Sequence, residues 1–126
     1  MRTVLFVFLT FCSVLSFAQS ENILSNAISK DNAKALSSFF DESIDLELPD
    51  TKGIYSKQQA KLVLSEFFNK NSIISFKEKH IGGGGEKAHF HIGSIETSKQ
   101  KFRTYILYHL VQDKPQIIEL RIESED

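Results

Sequence analysis

The side chains in this chain with chemistry to offer are its histidines, two C-terminal arginines and a few carboxylates. His89 and His91 stand at i and i+2, so on a strand they share a face. His80 lies on the segment before them and His109 on the segment after. Imidazoles on adjacent strands are the donor type that Zn²⁺, Cu²⁺ or Ni²⁺ takes. Alternation gives Ala88, Phe90 and Ile92 the opposite, apolar face, which is expected to meet the helices. His89 and His91 are then expected on the outer face, without a third ligand, and no metal site is expected. Ile74, Phe76, Glu78 and His80 also alternate onto one face. If that face lines a cavity, Glu78 and His80 stand at its rim, where a histidine can act as acid or base near neutral pH.

Arg103 and Arg121 form a second constellation. Glu119 and Glu123 share Arg121's face, and Tyr105 shares Arg103's. Such a set makes either a cross-strand ladder of ion pairs or a clamp whose guanidinium forks grip an anion. Asp45 and Glu47, with Tyr55 and Tyr108 as hydroxyl donors, complete the acid–base candidates. No nucleophile–base pair, Gly-x-Ser-x-Gly string or oxyanion loop accompanies them. No cofactor is expected.

The elements that must position these groups follow from periodicity. Ile23, Leu24, Ala27 and Ile28 lie on one face of a short helix. Asp31 is a suitable N-cap for a second, with Ala35, Leu36, Phe39 and Phe40 as its stripe. Ile44, Leu46 and Leu48 alternate as a half-buried strand, and Pro49 to Gly53 reads as a turn. Ser56 and Gln59 form a capping box for a helix over 57–69, striped by Ala60, Val63, Leu64 and Phe67. Four strands follow in a meander, the last three near 87–97, 100–112 and 116–123. Gly82–Gly85 joins the first two of the four; no helix follows it, so it lacks the amides of a phosphate-binding loop. Helices followed by strands indicate an α+β fold. With Ile106, Tyr108 and Leu110 facing inward, Tyr105, Leu107 and Val111 form an apolar outer face. That makes Tyr105 and Leu107 interface candidates, for a homodimer or another protein.

The chain opens with Arg2, an apolar stretch from Val4 to about Leu15, then Ser16-Phe17-Ala18 ahead of Gln19. This is the pattern of a cleaved secretory signal, too short and too interrupted by Thr10 and Ser13 for a membrane span. Residue 11, before Cys12, is a phenylalanine, where a lipid-modified cysteine needs a small neighbour. Residues 19–126 are then one domain, periplasmic or extracellular. Cleavage removes the single Cys and moves the net charge from −1 to −2, which excludes cysteine redox chemistry and gives nucleic acid no electrostatic attraction.

Several strings fall in order along residues 21–123: Tyr55-Ser56-Lys57-Gln58-Gln59-Ala60, Phe67-Phe68, Ser75-Phe76, His80 and Gly82, Ile92-Gly93, Phe102-Arg103, Leu120-Arg121-Ile122. In them the chain resembles the bacterial exported family known as domain of unknown function 4783, of the nuclear transport factor 2-like superfamily. The resemblance implies a cone-like (also called cystatin-like) curved antiparallel sheet packed on three N-terminal helices. It implies no activity, since such cones host isomerases, dehydratases and binding modules alike. The expected function is a non-catalytic binding module for a small ligand or a protein. The alternative is a cofactor-free lyase or isomerase using a cavity carboxylate or histidine. Candidate ligand-binding residues are Tyr55, Glu78, His80, Arg103 and Arg121.

Overall fold

The computed structural model describes residues 24–28, 33–83 and 88–125. The expected signal segment, the Asp31 cap and the second half of the glycine run lie outside the described residues. Helical residues 24–28 (α1) and Ala33–Ser37 (α2) precede β1 (Phe40–Leu48) and β2 (Thr51–Ser56). Then come α3 (Lys57–Lys70), β3 (Ile73–Gly82), β4 (His89–Thr97), β5 (Lys101–Val111) and β6 (Lys114–Ser124).

All six strands form one sheet in the order β2-β1-β6-β5-β4-β3. Two features depart from the sequence reading. Thr51–Ser56, expected as a turn running into the capping box, is an edge strand that pairs antiparallel with β1 around Pro49-Asp50. β1 also lies parallel to β6, so the sheet is not purely antiparallel. Phe40, expected on the α2 stripe, instead opens β1 as a buried residue.

Core formation follows the apolar pattern. Ile44, Leu46 and Leu48 of β1 point inward, as do Ile95, Phe102, Ile106, Ile117, Leu120 and Ile122 of the meander. α3 lays Ala60, Leu64, Phe67 and Phe68 onto them, and Phe67 meets Phe102 edge-on at 5.3 Å. Its start is fixed by the expected capping box. The Ser56 hydroxyl accepts from Gln59 N at 3.2 Å, and Ser56 N donates to Gln59 Oε1 at 3.3 Å. At its end Asn71 donates twice to the Phe67 carbonyl, from N (2.9 Å) and from Nδ2 (3.1 Å). The last carbonyls of a helix lack partners further along it, and the Asn71 side chain supplies one here.

The strand β3 carries two bulges, between Ile73 and Ser75 and between Glu78 and His80. Each adds one residue and turns the later side chains of the strand to the other face. Ile73, Phe76 and Glu78 therefore face inward, opposite Thr97, Ile95 and Gly93, while His80 pairs with Ile92 on the outer face. Ile74 is left 65% exposed. The expected single face of Ile74, Phe76, Glu78 and His80 does not exist. Gly93 is needed here: a Cβ on it would stand 2.5 Å from the Phe76 ring, which lies across it.

β5 and β6 are joined by a two-residue turn, with Gln112 at φ 52° and Asp113 at φ 64°. Positive φ at both central positions is the type I′ arrangement that matches strand twist, normally built with Asn-Gly. A double substitution Gln112→Asn with Asp113→Gly places at these two positive-φ positions the residue types that tolerate them best. It should raise unfolding stability by about 1 kcal/mol, read as a higher urea midpoint at constant m-value.

Candidate functional site

The inner face of β4 and β5 holds more polar chemistry than the pattern suggested. His89 and His91 are 3% and 1% exposed, buried on the inner face, and Phe90 and Ile92 are the outward residues. This reverses the expected orientation. Alternation shows which residues share a face but not which face meets the core. The pairing decides it: His91 lies opposite the fully buried Ile106, and His89 opposite Tyr108. Glu78 Oε1 lies 3.2 Å from His91 Nε2. The His89 ring stacks on Tyr108 at 5.4 Å, and the His91 ring meets Tyr108 edge-on. Glu78, expected at a cavity rim, thus spends a carboxylate oxygen on a buried imidazole.

The outer face is where most of the other candidates lie. His80 packs on Phe90 at 5.6 Å, and Phe90 stacks on Tyr105 at 6.3 Å. Phe90 pairs with Leu107 and Ile92 with Tyr105 across the β4–β5 ladder. The result is a four-residue apolar patch on the side away from the core. Tyr105 and Leu107 lie where the sequence placed them, and Ile106, Tyr108 and Leu110 face the core. Phe90 and Ile92 belong to this outward patch and were missed by the sequence reading, which turned β4 the other way.

Beside the patch, Arg121 is ringed by carboxylates. Its Nη2 donates to Glu119 Oε1 at 2.7 Å, its Nε lies 3.2 Å from Glu47 Oε2, and Glu123 Oε1 is 3.8 Å away. Its guanidinium carbon sits 5.4 Å over the Tyr105 ring. Burial pulls the Arg121 pKa down, but the hydrogen bond to Glu119 and the three negative charges outweigh it and hold the guanidinium above its ordinary value. This is the ladder geometry, with the fork filled from within the chain. Exposed Arg103 pairs in register with Glu123, and with Tyr105 and Arg121 it frames a shallow hollow of about 160 Å³.

The five ligand-binding candidates do not converge. Tyr55 packs against the core from β2 at one edge of the sheet, and Glu78 faces inward from β3 at the other. His80, Arg103 and Arg121 are on the outer face, and only the two arginines are neighbours there. Asp45, also outward, pairs in register with Ile54 and Glu119. Asp45 and His80 lie outward on different strands and Glu78 inward, so the three do not converge as the lyase or isomerase alternative expects. A different cavity, of about 230 Å³, lies where the C-terminal turn of α3 meets the β1–β2 and β4–β5 turns, floored by Phe67 and Phe102. None of the sequence candidates lines it. Among the described residues no cluster of three metal-ligating side chains occurs, and no helix is long and apolar enough to cross a membrane.

The chain belongs to the family described as Domain of unknown function (DUF4783), whose model matches residues 21–123. It is similar to the crystal structure of a DUF4783 protein from Bacteroides ovatus ATCC 8483. That likeness has 26% identity and a TM-score of 0.76, and covers 82% of this chain and 94% of that one. A DUF4783 protein from Bacteroides uniformis ATCC 8492 is 25% identical with a TM-score of 0.77, covering 83% and 96%. An NTF-2-like protein of unknown function from Burkholderia xenovorans LB400 shares the fold at 13% identity and a TM-score of 0.65, covering 88% and 84%. No curated protein matches. The fold is therefore the α+β cone of the nuclear transport factor 2-like proteins.

The Glu78–His91 contact yields a direct test. Glu78→Ala removes the carboxylate from a nine-tenths-buried imidazole and should cost about 1–3 kcal/mol. The exposed control Glu96→Ala should fall within about 0.5 kcal/mol of the parent. Urea midpoints of the two variants check both values.

Proposed function

We propose that this member of the family is an exported, non-catalytic protein-binding module that self-associates through the outer face of its sheet. The observation that carries the reading is the patch of Phe90, Ile92, Tyr105 and Leu107, turned away from the core and flanked by opposite charges. Lys77, Lys79 and His80 lie toward the β3 side, where Glu125 pairs with Lys79 at 3.4 Å and balances part of their charge. Glu119 and Glu123 of β6 and Asp45 and Glu47 of β1 lie toward the other, with Arg121 balancing only part of their charge. A monomer rarely leaves such a patch without a partner.

A second copy fits this layout. Two sheets stack face to face about a two-fold axis lying in the interface and running along the strands. That operation reverses the order of strands, so the basic flank of each copy meets the acidic flank of the other. The patches then meet at the centre, with charge at the rim. Support for export comes from Arg2, the apolar run and Ser16-Phe17-Ala18 at the chain's start.

Sedimentation velocity tests the association. The parent should sediment as a dimer at micromolar concentration, more weakly at high salt. Leu107→Glu buries a charge at the centre of the contact and should give monomer with an unchanged circular dichroism spectrum. Charge reversal with Lys77→Glu and Lys79→Glu should weaken the dimer, and Glu119→Lys with Glu123→Lys in the same chain should restore it. A parent that stays monomeric up to about 100 µM overturns the self-association. For export, mass spectrometry of protein recovered from the cell envelope should give a chain starting at Gln19.

A further inference from the structure

We propose that pH regulates the sheet-face association of this chain through His80, whose protonated ring is held by the acidic flank of the second copy. The inference rests on the dimer reading above and adds its control. His80 is exposed on β3, and its ring packs on Phe90 at the margin of the apolar patch. Imidazole is the side chain whose charge ordinarily changes between about pH 5 and 8, while lysine, arginine and carboxylate keep theirs. Of the other histidines, His89 and His91 are buried on the inner face, and His109 stands on β5 beyond the patch, opposite Gln116.

The ladder registers set His80 in one row with Ile92, Tyr105, Arg121 and Glu47. On either side of it the rows of Phe90 and of Lys77 end at Glu119 and Glu123 on β6. A two-fold axis along the strands keeps each row at its height and reverses its order, so β3 lies over the partner's β6. His80 then faces the partner's Arg121 together with the partner's Glu47, Glu119 and Glu123. Three carboxylates outnumber the one guanidinium they surround, and the field that His80 meets is negative.

In the free copy the surroundings have the opposite sign. Lys77 and Lys79 flank His80 on its own strand, and Glu125, which pairs with Lys79 and accepts from the Ser94 hydroxyl, offsets one of them. Those same two contacts, Ser94 first, hold the Glu125 carboxyl below the usual carboxylate range, so it stays charged. Among the described residues, β4 puts Phe90, Ile92 and Ser94 on this side, with Glu96 at the far end opposite Lys101, and β5 adds the cation of Arg103. A charge on His80 is thus disfavoured in the free copy and favoured in the pair. By linkage, protonation tightens the dimer as much as association favours protonation. The dimer is strongest below the imidazole transition and weakens as pH rises through it. Each copy supplies one His80, so the effect counts twice.

Sedimentation velocity at constant ionic strength, at about pH 5.5, about pH 6.5 and about pH 8, tests the regulation. The Kd of the parent dimer should be about tenfold higher at the top of this range than at the bottom. His80→Gln, an exposed substitution, should keep the dimer and hold its Kd constant within about twofold. His109→Gln should keep the pH dependence of the parent. A parent dimer whose Kd does not change with pH overturns the regulation and leaves the dimer standing. So does a dependence that survives in His80→Gln or disappears in His109→Gln. A parent that is monomeric at every pH overturns the dimer, and the regulation with it.

Discussion

The register between β4 and β5 is the constraint on which the rest of this structure depends. His91 opposite Ile106 and Phe90 opposite Leu107 decide in one stroke which side chains enter the core. A slip of one residue would turn Phe90 and Ile92 inward and put both imidazoles in water. The observed register instead takes two buried histidines and leaves a patch of aromatic and branched residues outside. Gly93 helps fix it, because the Phe76 ring can lie over β4 only where β4 has no side chain. The bulge after Glu78 completes the arrangement by ending the inward run of β3 at the carboxylate that reaches His91.

Much of the fold was legible because several segments carry unambiguous periods. The α3 stripe, the Ser56–Gln59 box and the alternation of β1, β5 and β6 each specify one element. β2 was not legible: Thr51–Ser56 is a short edge strand with Lys52 and Gly53, whose composition suits a turn as well as a strand. The parallel pairing of β1 with β6 is a long-range choice that no local pattern encodes. The site was less legible than the fold. Arg121's ladder was readable, since Glu119 and Glu123 share its face at i±2. The third carboxylate, Glu47, arrives through the parallel pairing and was not. β4 misled because both its faces are plausible interiors, His-His-Gly-Ile against Phe-Ile-Ser. Sequence gives no count for β-bulges: one parted Ile74 from the face of Phe76 and Glu78, and a second separated Glu78 from His80.

Electrostatics and burial act on opposite faces of the same strands. On the inner face the contacts are specific: Glu78 reaches His91, and Tyr108 stacks on His89. On the outer face, Arg121 shares three carboxylates in partial solvent, where each pair adds well under about 1 kcal/mol. The network's larger effect is on the field of that face. It concentrates negative charge over β6 and β1 while the lysines stay on β3.

The edges of the sheet bear on which surface meets other molecules. Edge strands invite pairing with another chain, and proteins blunt them with lysine, bulges and short length. β3 carries Lys77, Lys79 and two bulges, and β2 is only six residues long with a central glycine. Backbone addition at either edge is thereby disfavoured. The exposed Ile54 and Ile74, which lie at those edges, are isolated apolar side chains of the kind that surfaces ordinarily carry. Contiguity, not exposure, sets the β4–β5 patch apart. Its four residues are each less exposed than Ile54 or Ile74, yet they stand together in two cross-strand pairs of the β4–β5 ladder. Side chains already packed against one another across the ladder lose little entropy on meeting a partner. Contiguity therefore favours the outer face of this sheet over its edges as the surface for recognition.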